Sequence, residues 1–207
     1  MRKLSDNIFH VGVNDDDKVL FEGLWPLPYG VSYNSYLVTD EQIALIDTVE
    51  TGFEEEYLYN IKEVLGDKGI DYLVVNHMEP DHSSMISYML SEYPDMKIVA
   101  NARTLPMLKG YYSVPEEKVM VVNDGDVLSL GSLSLSFHMI PMVHWPETMV
   151  TYLAEEKTLF SGDAFGTFGR VEGSGTDSDG IFEAYEDEMV RYYASIVGKY
   201  GAPVQTA

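Results

Sequence analysis

No cysteine occurs in the 207 residues, which removes disulfides, thiolate zinc sites, iron–sulfur clusters and cysteine nucleophiles together. Any metal bound here must take nitrogen and oxygen ligands. Basic residues are also scarce: 13 Lys and Arg stand against 34 Asp and Glu, a formal net charge of −21. Such a field repels a phosphate backbone, and basic clusters no longer than pairs such as Arg2-Lys3 give nucleic acid no patch to bind. Long apolar runs are missing too. No window approaches the ~18 uninterrupted apolar residues of a spanning helix, and Met1-Arg2-Lys3 leads into Leu-Ser-Asp-Asn, not into an apolar signal core. No membrane association is expected, and the chain reads as a soluble cytoplasmic protein.

What is present suffices for a core: 45% of residues are apolar and 12% aromatic, and no linker or low-complexity tract divides the chain, so residues 1–207 read as one domain. Most acids read as solvated turns or helix faces, among them Asp15-Asp16-Asp17, Glu54-Glu55-Glu56 and the Glu183 to Glu188 stretch. Period-two runs predict strands at Asn7 to Val13, Ser32 to Val38 and Gln42 to Thr48, the last two joined as a hairpin through Thr39-Asp40-Glu41. Phe53, Tyr57, Ile61 and Leu65, at spacing four, predict a helix closed by Gly66. A strand at Tyr72 to Val75, a helix from Ser84 to Glu92 and a strand at Lys97 to Ala100 follow. The second half predicts strands at Lys118 to Val122, Val127 to Leu130, Leu133 to Ile140 and Met149 to Phe160, the last broken at Glu155-Glu156-Lys157, then a long amphipathic segment from Ile181 to Tyr200. Strand-rich halves that each carry helices suggest an α/β fold of two packed sheets flanked by helices, a four-layer αββα sandwich.

One strand end is dense in ligand-type residues: Asn76-His77-Met78-Glu79-Pro80-Asp81-His82-Ser83-Ser84. Two His and two carboxylates within six residues, placed after an apolar strand, sit where side chains converge instead of alternating between two faces. A polar loop with helix-capping acids would explain Asp81 and Glu79, but it leaves unexplained two of only five His in the chain. The pattern therefore points to a metal. Ser83 or Ser84 is expected to cap the following helix. Two later loops supply further ligand types, His144 in Pro141-Met142-Val143-His144-Trp145-Pro146-Glu147 and Asp163 in Ser161-Gly162-Asp163-Ala164, each after a strand. Taken singly, His144 also reads as a packed loop residue and Asp163 as a turn residue. His138, out of phase with Leu133, Leu135, Phe137 and Met139, and His10, opposing Phe9, Val11 and Val13, are expected to face solvent and have no role.

The pattern H-x-E-x-D-H at 77 to 82, followed by His144 and Asp163, resembles the diiron domain of flavodiiron proteins, within the metallo-β-lactamase superfamily. The resemblance covers nearly the whole chain, including Gly30 to Leu37, Ile46-Asp47-Thr48 and Phe160 to Gly166. It implies a metallo-β-lactamase-like αββα sandwich holding two iron ions: His77, Glu79 and His144 on one, Asp81 and His82 on the other, and Asp163 bridging. Hydrolases of the superfamily typically carry His where this chain has Glu79. The extra carboxylate leaves a site of two divalent ions with a smaller positive charge, and a hard anionic oxygen favours iron or manganese over zinc. The resemblance further implies reduction of dioxygen or nitric oxide, with electrons from a separate donor of flavodoxin, rubredoxin or flavin reductase type. A head-to-tail homodimer is the arrangement usual in the family.

The chain also departs from that family. No flavodoxin-like segment is found in it, so FMN is not expected on this chain. The family's last His ligand falls about 60 residues after Asp163, near position 224, which reads the chain as truncated before the domain's end, with weakened occupancy on the Asp81 and His82 side. Glu22 stands where flavin-linked members commonly have His, a likeness to short, flavodoxin-free relatives. Two alternatives stay open, a non-catalytic diiron sensor of oxygen or nitric oxide and a zinc-dependent hydrolase acting through a bridging hydroxide. Trp25, Tyr29, Met142 and Trp145 are read as ordinary packing residues in preference to a pocket lining.

Overall fold

The computed structural model describes residues 1–170, Gly173, Thr176 and residues 182–207. The strands in chain order are β1 (Arg2–Lys3), β2 (Ile8–His10), β3 (Val13–Asp15), β4 (Leu20–Phe21), β5 (Trp25–Pro26), β6 (Val31–Tyr33), β7 (Tyr36–Thr39), β8 (Ile43–Ile46), β9 (Tyr72–Val74), β10 (Lys97–Asn101), β11 (Val119–Val122), β12 (Val127–Ser129), β13 (Ser134–Met139), β14 (Met149–Leu153) and β15 (Thr158–Phe160). A seven-stranded sheet has the order β1-β2-β7-β8-β9-β10-β11, and a four-stranded sheet the order β12-β13-β14-β15. The first is antiparallel up to the β7–β8 hairpin and parallel from β8 to β11. The second is antiparallel throughout.

Side-chain alternation divides the large sheet between two cores. In β8 Ile43 and Leu45 face one core, and Ala44 and Ile46 the other. The first core takes Leu73 and Ile98 together with helix residues Tyr57, Ile61, Ile86, Met89 and Leu108. The second takes Val74 and Val99 together with Leu135, Phe137, Met149 and Phe160 of the small sheet. A strand buried on both faces reads as continuous apolar sequence, which is why Ile43-Ala44-Leu45-Ile46 shows no polar alternation. The two sheets thus pack face to face, with helices over the outer face of the larger one. On the small sheet's other face Val150 is buried, and Ser134, Ser136, His138 and Tyr152 are half-buried or exposed.

The helices are α1 (Glu54–Leu65), α2 (Pro80–Ser83), α3 (Ile86–Glu92), α4 (Leu105–Tyr112), α5 (Phe182–Tyr192) and α6 (Gly201–Thr206). Helix α1 follows its spacing, with Tyr57, Ile61 and Leu65 buried and Gly66 at φ 59° as C-cap. Its first turn is stabilised by the Glu54 carboxylate, which accepts from Thr51 Oγ1 at 3.0 Å and Gly52 N at 3.1 Å. Helix α5 runs into a π-helical turn, Tyr193–Val197, and a short 3₁₀ turn to Tyr200, and Ile181, the expected start of this segment, lies outside the described residues.

Three expectations are corrected. The runs Asn7 to Val13 and Ser32 to Val38 are not single strands: the first breaks at Val11-Gly12, where both amides donate to Ser35 O, the second breaks between Tyr33 and Tyr36, and β3 and β6 leave the large sheet to pair with each other. Ser83 and Ser84 do not cap α3. Their hydroxyls turn back onto the Glu79 and Pro80 carbonyls, and α3 begins from Met85 without a side-chain cap.

Candidate metal centre

The centre lies at the carboxyl ends of the parallel strands, where an open α/β sheet presents its loops. Asp47 follows β8, the 77–82 segment follows β9, and Asn101 ends β10. From the small sheet come the loop between β13 and β14, which carries His144, and the 3₁₀ turn after β15, Gly162–Phe165, which carries Asp163. The 77–82 segment is held on every side. Buried Asp47, at φ 53°, accepts from Asn76 N at 2.7 Å and from Asn76 Nδ2 at 3.2 Å. Thr48 donates through its amide and hydroxyl to the His82 carbonyl, at 2.8 and 2.9 Å. Ser83 Oγ, fully buried, reaches both Met78 O and Glu79 O at 2.9 Å and meets Tyr112 Oη at 2.8 Å. Pro80 at the first position of α2 fixes the turn that brings Asp81 and His82 round.

The side chains converge through three imidazole Nε2 atoms. His77 Nε2 lies 3.3 Å from Glu79 Oε2 and 3.5 Å from Asp163 Oδ2. His144 Nε2 lies 2.8 Å from the same Glu79 oxygen and 3.1 Å from the same Asp163 oxygen. The other oxygen of Asp163, Oδ1, is 2.9 Å from His82 Nε2, which is itself 3.6 Å from Asp81 Oδ2. One ligand atom each from His77, Glu79, His144 and Asp163 falls within a 4.8 Å span. Asp81 Oδ1 is buried with no hydrogen-bond partner, which marks a group awaiting a cation.

Burial and charge oppose one another at every position. Burial pulls the His77 and His144 pKa values down, but the carboxylates against them raise both to about 9. His82 is likewise raised, chiefly by Asp81 and Asp163 against the cost of burial. Glu79, although buried, is lowered to about 2 by His144 and His77, and Asp163 is also lowered, by His82 and His144. Asp81 goes the other way, to about 6, because burial and neighbouring Asp163 and Glu79 outweigh His82. Without a cation, protons hold these carboxylates together. A hard divalent metal would displace them, and the nitrogen and oxygen donors present suit iron, manganese or zinc.

Residues 31–198 match the family described as ODP family beta lactamase. The chain belongs to this family. Its fold is metallo-β-lactamase-like, as the solved structure of rubredoxin oxygen:oxidoreductase from Desulfovibrio gigas shows: it is similar at TM-score 0.88 and 33% identity over 97% of this chain and 50% of that one. The flavodiiron protein from Giardia intestinalis matches at TM-score 0.88 and 30% identity, over 99% of this chain and 50% of that one. Among curated relatives, an anaerobic nitric oxide reductase flavorubredoxin of Klebsiella pneumoniae is 37% identical over 94% of this chain and 40% of its own length. The chain thus spans about half or less of each of these relatives.

Within this ODP-family centre the structure brings His77, Glu79, His144 and Asp163 together and places Asp81 and His82 beside them through Asp163. His138 is exposed, as expected. His10 is a correction: it is 3% exposed, bonded to Asn34 Oδ1 at 3.0 Å and set edge-on to Tyr36, because both faces of β2 are covered. Trp145 stands edge-on to His77 at 5.2 Å between ring centres, Trp25 packs on Phe21, Met142 is half-buried, and Tyr29 is 60% exposed. Three residues at the centre escaped the sequence reading. Glu147 accepts from His77 Nδ1 at 2.9 Å, Asp47 anchors Asn76, and buried Tyr192 faces the charge of Asp163. Glu147 follows His144 by three positions and so had a signal, whereas Tyr192 lies inside an amphipathic helix and had none.

Proposed function

We propose that this chain is a diiron domain that reduces dioxygen or nitric oxide with electrons from a separate donor. His77, Glu79 and His144 would hold one iron, Asp81 and His82 the other, and Asp163 both. The observation that carries this reading is the division of Asp163: Oδ2 faces His77 and His144, and Oδ1 faces His82. A carboxylate whose two oxygens address two separate groups of donors is arranged to bridge two ions. The residues fit such a pair, with hard nitrogen and oxygen donors, no thiolate and an orphaned Asp81 oxygen.

Two iron ions there would supply one-electron redox changes and open positions for a diatomic gas. The chain's own contribution is orientation and enclosure. Glu79 and Asp163 hold the imidazole edges toward a common point, and Trp145 covers His77 and His144 edge-on. The buried phenol of Tyr192 stays protonated, its pKa raised well above the usual value by burial and by the charges of Asp163, Asp81 and Glu79, so it can donate to Asp163. The reading extends to partners: a flavodoxin, rubredoxin or flavin reductase as donor, and a second copy of the chain in a homodimer. The relatives named above, a nitric oxide reductase and an oxygen oxidoreductase, support the two gases equally.

The test is anaerobic reconstitution with ferrous iron, followed by rapid mixing with dioxygen or nitric oxide and a reduced donor. Two bound irons per chain and repeated gas consumption are expected. A stable gas adduct without turnover would replace this reading with a sensor. Two zinc ions, with hydrolysis of a model ester lost in Asp81→Asn, would replace it with a hydrolase.

A further inference from the structure

We infer that Glu147 is a positioning residue of the metal centre: its carboxylate fixes which nitrogen of His77 faces the metal and strengthens that nitrogen as a ligand. The inference rests on His77 being a metal ligand, as proposed above. Glu147 is 1% exposed, and its Oε1 lies 2.9 Å from His77 Nδ1 and 3.0 Å from the Met78 amide. The amide can only donate, so Oε1 accepts there, and an ionised carboxylate accepts from Nδ1–H as well. That leaves Nε2 as the nitrogen whose lone pair a metal takes when it displaces the proton there, and Nε2 is the atom turned toward Glu79 and Asp163.

Thr148 Oγ1 is a weaker rival for the same nitrogen. It stands 3.4 Å away and is already engaged with Trp145 N and Trp145 O at 3.2 and 3.0 Å. Glu147 is itself held in place: Asn101 Nδ2 donates to its carbonyl at 2.6 Å, and Arg103 Nη1 to the preceding Pro146 carbonyl at 3.0 Å. These contacts fix the loop to the end of β10, so the carboxylate is delivered by the carboxyl end of a strand inside the large sheet.

Stability alone does not account for this residue. Glu147 Oε2 is buried with no partner, and a buried unsatisfied polar atom is destabilising, more so when charged. Among the described residues no Lys or Arg pairs with Glu147, and its one ionic partner is His77. A buried anion spent on a single imidazole is the arrangement that holds metal-bound histidines in one tautomer and raises their donor strength.

The test uses the whole chain and the variants Glu147→Gln and Glu147→Ala. Affinity for ferrous iron is measured by competition with a chromophoric chelator, and the midpoint potential of the bound iron by anaerobic redox titration. Glu147→Ala is expected to lower the affinity about 10–100-fold. Glu147→Gln, whose amide oxygen still accepts from Nδ1–H, is expected to restore most of that affinity while the midpoint potential rises, because a neutral acceptor leaves His77 the weaker donor. A residue that only filled space would leave the potential of the Gln variant unchanged. Wild-type affinity in Glu147→Ala, or an unshifted potential in Glu147→Gln, overturns the inference. Should the wild-type chain take zinc and refuse iron, the diiron reading fails, and the same fold-loss in zinc affinity then decides Glu147. Should it take neither metal, NMR of the His77 ring decides: a hydrogen-bonded Nδ1 proton present in wild type and Gln but lost in Ala upholds the contact, and its absence from wild type overturns it.

Discussion

At Glu79 a single carboxylate oxygen serves two histidines, 3.3 Å from His77 Nε2 and 2.8 Å from His144 Nε2. Replacing it by a neutral imidazole removes one anionic oxygen from the site. Glu79→His is expected to shift preference from iron toward zinc, read as the iron-to-zinc ratio after loading from an equimolar mixture. The histidines make a second prediction. In the metal-free chain His77 and His144 are raised to about 9 from 6.5. A raised histidine contributes stability that is fully present below the unfolded value and is lost as pH climbs through the folded one. The melting temperature of the chelator-treated chain should therefore fall between pH 6.5 and about 9. Metal must displace the same protons, so ferrous affinity should rise across that window. A melting temperature that climbs with pH in the metal-free chain would contradict this assignment of charge.

The elements show which patterns the sequence carried and which it hid. Helix α1 was legible because Tyr57, Ile61 and Leu65 keep one buried stripe through three turns. Helix α4 was not, since Leu108 is its one buried residue and eight residues give periodicity little room. His10 misled because alternation assigns a solvent face to a strand that has none. The break after β2 turns on Gly12, where an added Cβ would stand 2.1 Å from Tyr33 O and 2.9 Å from Ser35 N. Backbone on both sides cannot yield, so Gly12→Ala should cost about 1–3 kcal/mol or more, measured by urea unfolding. A neutral result would mean that β3 and β6 separate without cost.

For the whole molecule, the convergence of the candidate ligands was the most legible feature, because six chemistry-bearing residues sat at three strand ends. Its supporting shell was less so: Asp47, Glu147 and Tyr192 acquire meaning only once the two sheets are docked. Removing metal should be felt globally, since it leaves these buried charges to one another. Chelation is expected to lower the melting temperature by roughly 5–10 °C, restored by excess ferrous ion, and Asp163→Asn should abolish most of that difference. An equal melting temperature with and without metal would place the ions outside the fold's energetics.

Donors of the centre come from loops after β9, β13 and β15, so no single sheet holds them all. During synthesis the 77–82 segment leaves the ribosome long before Asp163, and four donors wait, exposed, on a half-built protein. Any cation captured then can be held by one side only. The second sheet must arrive and dock before Asp163 can reach across, so the proposed metal site is completed late, by a finished sandwich and not by a nascent chain.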